Sequence, residues 1–182
     1  MRLRAASVVI FLIACQGNTE PIEQEPLVHK TLLFYMGASK ANALVVREKS
    51  VTGRQLGDGF ERLGIKENGV KKSFELINAE PTRVPWERVD IQGLTIASDE
   101  QLAQIFRDKR PPEQNWKAFY RQYPDASGLI GVSRVGFNFD AAQAVVYIEI
   151  GCGGLCGNGY IAHLQRGMWG WKVQKLEHLW IS

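Results

Sequence analysis

Gly151-Cys152-Gly153-Gly154-Leu155-Cys156-Gly157 is the stretch whose reading decides the fold. Four apolar runs surround it: Leu129–Phe139, Ala142–Ile150, Tyr160–Gln165 and Trp171–Ile181. Short runs rich in Val, Ile, Tyr and Trp, bounded by Gly, Asn and Asp, read as an antiparallel meander. Placing Cys152 opposite Cys156, with Gly153–Leu155 as the loop, puts Ile148 opposite Tyr160, Val146 opposite Ala162 and Ala144 opposite Leu164. Every pair on that face is apolar, and a slip of one residue would turn half of it to solvent. A bulge at so short a loop would shift the pairing.

The preceding hairpin turns near Asp140 and Ala141. It places Phe137, Val135 and Ser133 opposite Ala144, Val146 and Ile148, on the same core face. The second face then carries Ile130, Val132, Arg134, Val145, Tyr147, Glu149, Ile161 and His163. The last run does not keep one phase. Trp171 and Val173 fit the core face, and a bulge near Gln174 would bring in Leu176, His178 and Trp180.

At 182 residues the length suits a single domain, and 45% hydrophobic with 23% charged residues is ordinary for a soluble fold. The formal net charge is +3; without Arg2 and Arg4 the 22 basic residues become 20 against 19 acidic. That balance is no footprint for nucleic acid. The first 14 residues give the reason for setting those two arginines aside. A basic start precedes an apolar run of about 10 residues, the pattern of a secretory leader and too short to span a bilayer.

Leu12-Ile13-Ala14-Cys15 resembles the lipobox of bacterial lipoproteins. The resemblance implies cleavage before Cys15, a diacylglyceryl group on its thiol and further acylation, palmitate included, of the new amino terminus. It places the chain in the bacterial cell envelope, with the membrane as a partner through Cys15. Gln16 in place of Asp favours the outer membrane where the host has one. Several acyl chains on one residue give stable anchoring. Gln16–Pro26 holds three Glu and two Pro with little apolar content, and reads as a flexible tether. The expected organisation is therefore a signal peptide over 1–14, an anchored tether over 15–26 and one globular domain over 27–182.

Once Cys15 is set aside, Cys152 and Cys156 remain as a pair. Outside the cytoplasm such a pair is normally a disulfide. Two other readings stay open: a redox-active pair, and a metal site completed by His163 or His178. The C-x3-C spacing and the hairpin setting suit neither well, and no metal or other cofactor is expected.

In the middle of the chain, Leu27–Met36 reads as a helix or first strand, and Ala43–Val46 opens a strand ending near Val51. Thr52 is expected to cap a helix through Arg62, with Leu56, Phe60 and Leu63 on one side. Val70–Asn78 and Arg88–Ala97 read as strands. Ser98 with Gln101 is a capping-box signature for a helix to about Asp108, burying Leu102, Ile105 and Phe106. Asn115 is expected to cap a second short helix carrying a Trp116, Phe119 and Tyr120 stripe. Such a stripe is ordinarily core, and these helices are expected to cover the core face. The fold class expected is thus α+β: a four-stranded antiparallel C-terminal meander with short helices on one face.

No phosphate-binding loop, nucleophile elbow or zinc-protease motif is present. Arg134, Tyr147, Glu149 and His163 share the second face in this register, with Arg134 in reach of Glu149 and Glu149 able to orient His163 as a base. The bland reading of the same four is a surface ion pair and a half-buried histidine. His29 is expected to be solvated beside the tether, and His178 to be an ordinary strand residue. Of Trp169, Trp171 and Trp180, two are expected in the core; the other reading is an exposed binding patch.

Ser133–Asn138, Cys152–Gly157 and the closing Trp180-Ile181-Ser182 resemble uncharacterised bacterial envelope proteins, over the last third of the chain. Helices before a curved meander also resemble the cystatin and NTF2-like folds. The leading functional expectation is a lipid-anchored, non-enzymatic module that binds a protein or envelope component. The alternatives are an extracytoplasmic enzyme on the Arg134/Tyr147/Glu149/His163 face and a thiol–disulfide protein using Cys152 and Cys156.

Overall fold

A computed structural model describes residues 21–37, 43–54, 56–65, 68–107 and 109–182. The leader, Cys15 and the start of the expected tether lie outside the described residues. The chain runs α1 (Pro21–Tyr35), β1 (Ala43–Arg47), α2 (Gly59–Arg62), α3 (Asn68–Ile77), a 3-10 turn (Trp86–Arg88), β2 (Leu94–Ala97), α4 (Asp99–Ile105) and α5 (Pro112–Gln122). It continues with β3 (Ala126–Val132), β4 (Gly136–Phe137), β5 (Gln143–Gly153), β6 (Cys156–Gly167) and β7 (Gly170–Ile181).

The fold is mixed α and β around a seven-stranded sheet of order β2-β1-β3-β5-β6-β7, with β4 paired to β5. The expected antiparallel meander is therefore only part of it. β1 pairs in parallel with both β2 and β3. Parallel neighbours need crossovers, and the helices supply them. Helices also cover both faces, not one. α1 and the segment around Trp86 pack over Leu44, Val46, Ile130, Val132, Val146 and Ile148. On the opposite face α4 and α5 cover Val45, Ala97 and Leu129. Further along that second face, α2 and α3 cover Val145, Tyr147 and Ile161.

The β5–β6 register is the one the apolar pattern specifies: Ala144 faces Leu164, Val146 faces Ala162 and Ile148 faces Tyr160. Near the loop a bulge intervenes, so Gly153 rather than Cys152 faces Cys156. In β7 the register shifts between the His163–Lys175 and Leu164–Val173 pairs, leaving Gln174 as the extra residue. Leu176 and His178 follow onto the core face as expected. A second shift beside Tyr160 turns Trp180 to the other face, opposite Gly159.

The expected strand Leu129–Phe139 breaks at Ser133–Val135, and side chains from two helices hold the break. His29 Nε2 donates to Ser133 O at 3.0 Å. Asn78 Nδ2 donates to Arg134 O at 3.0 Å, and Asn78 Oδ1 accepts from Arg134 N at 2.8 Å. Glu25 Oε1 accepts from Val135 N at 3.3 Å. Buried backbone groups must find partners, and here side chains replace the ladder. The break explains why Ile130 and Val132 join the core face against the expectation: Ile130 faces Ile150 and Val132 faces Ile148.

Residues 21–26, expected as tether, form the first turns of α1, with Gln24 and Glu25 buried. Pro26 lacks the N–H that would bond Ile22 O, and Arg88 Nη1 donates to that carbonyl at 3.3 Å instead. Val70–Asn78, expected as a strand, is α3 and its end. Val70, Phe74 and Asn78 stand four apart and all are buried. The helix expected over 52–62 shrinks to Gly59–Arg62, because Gly53 and Gly57 adopt φ of 65° and 51°. The strand expected over 88–97 begins only at Leu94.

The capping box at Ser98 and Gln101 forms as read, and Leu102 and Ile105 are buried behind it. Asn115 is not a cap. It lies within α5, and its amide donates to Arg107 O at 3.2 Å and Arg110 O at 3.4 Å, tying the α4–α5 connection. The Trp116, Phe119 and Tyr120 stripe packs with Phe106 against the second face.

Candidate functional site

Alternation along the strands places Arg47, Glu149 and Trp180 on the second face, in the interval between the α4–α5 and α2–α3 layers. Glu149 faces Gly131 on β3 and Gly159 on β6. Packing shows why glycine stands at both facing positions. A Cβ on Gly131 would lie 2.8 Å from Val51 Cγ1 and 3.1 Å from the Glu149 carboxylate. One on Gly159 would collide with the Trp180 indole. Beside them lies a cleft of about 440 Å³, lined by Arg47, Lys49, Arg54 and Asp99, with Tyr147 and Glu149 at its base.

The base of the cleft is a fixed chain of polar groups. Trp180 Nε1 donates to Tyr147 Oη at 2.9 Å, and Tyr147 Oη donates to Glu149 Oε2 at 3.2 Å. Burial pushes the Tyr147 hydroxyl far above the usual phenol value; the Trp180 N–H opposes this and the Glu149 carboxylate adds to it. At neutral pH the phenol therefore keeps its proton and acts as a donor. On the walls, Lys49 Nζ lies 2.6 Å from Asp99, and Arg47 Nε is 4.0 Å from Glu149. At 4.0 Å the Arg47–Glu149 pair is an ion contact beyond hydrogen-bond distance. Three cations against two carboxylates give the cleft an excess of positive charge.

The four residues expected on one face do not form one site. Tyr147 and Glu149 touch, as described. Arg134 lies on the far side of the sheet, where Nε and Nη2 meet Glu25 at 2.6 and 2.7 Å. The strand break at Ser133–Val135 re-aims it. His163 faces Val145, four residues along β5 from Glu149, or roughly 13 Å at strand rise. Its Nε2 meets Gln143 Oε1 at 3.2 Å, and burial lowers its proton affinity. Glu149 thus orients no histidine.

Sequence reasoning missed a buried polar cluster: Glu25, His29, Asn78, Ser133 and Arg134 meet around the strand break. His29 is 0% exposed rather than solvated, and lies against the Trp86 ring at 5.5 Å. Its Nδ1 has no hydrogen-bond partner among the described residues. Ser133 Oγ donates to Arg134 O and accepts from Tyr147 N, so the hydroxyl is not offered to the imidazole. The cluster is a structural joint between α1, α3 and the sheet. The only signal for it in the sequence is that the Glu25 and His29 positions stand one helical turn apart.

Burial lowers the His29 proton affinity, with Glu25 and the Ser133 bond opposing and Arg134 assisting. The unfolded chain therefore takes up a proton first as pH falls below the ordinary histidine value of 6.5. Stability is full above that value and falls as pH drops through the window down to the depressed folded value. His29→Gln is expected to remove up to one proton from the slope, about 1.4 kcal/mol per pH unit. Urea midpoints between pH 7 and 5 measure it, and an unchanged slope would contradict the assignment.

Cys152 and Cys156 form a disulfide with Cα atoms 5.0 Å apart. Among the described residues no three His, Cys, Asp or Glu side chains gather to hold a metal. α5 supports the hairpin: Tyr120 Oη donates to Cys152 O at 2.9 Å, and the Trp116 ring lies 3.1 Å from where a Gly151 Cβ would stand. Cys152→Ser is expected to cost about 2 kcal/mol, the loop-entropy value for so small a ring. A melting temperature unchanged from the oxidised wild type would contradict that. His178 Nε2 meets Asn158 Oδ1 at 3.1 Å, and its ring lies tilted against Tyr160 with centroids 4.8 Å apart. Trp171 is buried, Trp180 is partly buried and Trp169 is exposed. No known protein family, curated protein or solved structure matches this chain.

Proposed function

We propose that the chain is an exported, lipid-anchored binding domain of the bacterial envelope, with the second-face cleft as its ligand site. Export is supported by the leader and the Leu12-Ile13-Ala14-Cys15 motif, and by a disulfide of the kind that persists in oxidising compartments. No described helix is long and apolar enough to cross a membrane. Attachment is assigned to acyl groups on Cys15 from the Leu12-Ile13-Ala14-Cys15 motif.

The observation that carries the binding reading is the construction of the cleft floor. A cavity within the usual size range for ligand sites lies against Tyr147 and Glu149. Trp180 holds Tyr147, and Tyr147 holds Glu149, so the polar floor is preorganised. Among the described residues no histidine or cysteine lines the cavity, and the Tyr147 hydroxyl at its base stays protonated. The arrangement suits recognition of a polar, anion-bearing group by Arg47 and Arg54, with Glu149 accepting a donor of the same ligand.

The test is crosslinking in the native envelope from a photoreactive residue at position 54, an exposed cleft position. A defined adduct that disappears in a Glu149→Arg background is the expected result. Adducts unaffected by that change would move the binding surface elsewhere.

A further inference from the structure

Two turns and the start of α1 meet at one pole of the sheet. Gln143 pairs with Gln165 and Gln165 with Lys172, so the β4–β5 and β6–β7 turns lie side by side. Arg166 N donates to Ala142 O across them at 2.8 Å. α1 begins at the same pole: Trp171 Nε1 donates to Gln24 Oε1 at 3.0 Å. Pro21 and Ile22 share a cleft of about 680 Å³ with Phe139.

These turns carry large apolar side chains in full contact with solvent. Phe139 is 107% exposed, Met168 89% and Trp169 88%, and Ile22 on α1 is 57% exposed. Scattered exposed apolar residues are normal, but a group at one pole marks a partner surface. Trp and Phe are the side chains that settle at the boundary of headgroups and acyl chains.

The chain itself indicates which partner. Cys15 stands six positions before Pro21, and an extended chain reaches about 3.5 Å per residue, or roughly 21 Å. An anchor at Cys15 therefore keeps this pole close to the bilayer. The opposite pole, with Leu155, is the length of the 11-residue β5 away, about 36 Å.

We infer that Phe139, Met168 and Trp169 form a membrane-contact surface that inserts at headgroup level and sets the domain in one orientation. The inference rests on the proposed acylation of Cys15. The disulfide hairpin then points away from the bilayer. Glu149 lies six residues along β5 from Gln143, so the cleft stands about 20 Å off the lipid surface, open to ligands outside it.

The test uses the lipidated protein reconstituted in vesicles of phosphatidylethanolamine and phosphatidylglycerol. Photoreactive benzoylphenylalanine replaces Phe139, Trp169 or, as control, the 91% exposed Leu155. Flotation reports the anchor, and adduct mass reports lipid contact. Lipid adducts at 139 and 169 about tenfold above those at 155 are expected. Flotation with equal lipid adducts at all three positions overturns the inference and leaves the anchor standing. So does flotation with adducts at 139 and 169 only between protein chains. Failure to float removes the anchor and the inference together.

Discussion

Arg134→Met is expected to lower the free energy of unfolding by about 3–5 kcal/mol, because it strands a buried carboxylate. The Glu25 side chain is 3% exposed and the Arg134 side chain 17%. Their two parallel bonds are short, and Arg134 Nη1 also donates to Thr82 Oγ1 at 3.0 Å. Methionine covers the apolar contacts of the arginine stem and offers no donor. The cost comes from the orphaned charge, so Glu25→Gln added to Arg134→Met should recover a good part of it. Urea unfolding measures both through the midpoint at constant slope. If the single variant loses less than the double, the pair is not the buried joint described.

Gly136→Ala is expected to cost about 3 kcal/mol, the upper end for overpacking. An added Cβ would stand 2.6 Å from Phe74 Cα and 2.7 Å from Phe74 N. That obstacle is helix backbone, which cannot rotate aside as a side chain would. α3 must shift off β4, and the edge contact between Phe60 and Phe74 at 5.5 Å opens with it. Amide exchange should show α3 losing protection while β5 and β6 keep theirs. Unchanged protection in α3 would refute the close approach.

The contrast between β5–β6 and α3 shows what a single sequence makes legible. In β5 and β6 the pairs Ala144–Leu164, Val146–Ala162 and Ile148–Tyr160 keep one face apolar throughout, while Glu149 and His163 fall on the other, so one register alone satisfies both strands. The extra residue at Gln174 was readable for the same reason, since strict alternation would have buried Lys175 and Glu177. In α3 the content of Val and Phe suggested a strand, while the four-residue spacing of Val70, Phe74 and Asn78 carried the true period. Parallel pairing of β1 with β2 and β3 leaves no local trace, because the partners lie dozens of residues apart.

The candidate site was half legible. Tyr147 and Glu149 meet as their spacing predicts, because two positions along one strand share a face. Arg134 leaves the face that alternation predicts, because the strand breaks where Glu25 and Asn78 offer partners 109 and 56 residues away. The same distance hid the polar residues of α1. Gln24 and Glu25 look like a solvated tether until Trp171 and Arg134 are seen to bind them. Arg47 and Arg54 join the cleft through the parallel β1 pairing and the chain that leaves it, neither of which has a periodic signature.

The most direct measurement is the intact mass of the native protein from fractionated cells, with and without thiol alkylation. The proposal predicts a membrane-bound chain that begins at Cys15, carries diacylglyceryl and acyl groups, and does not react at Cys152 or Cys156 until reduced. A soluble chain that retains Met1, with both late thiols open to alkylation, would contradict it.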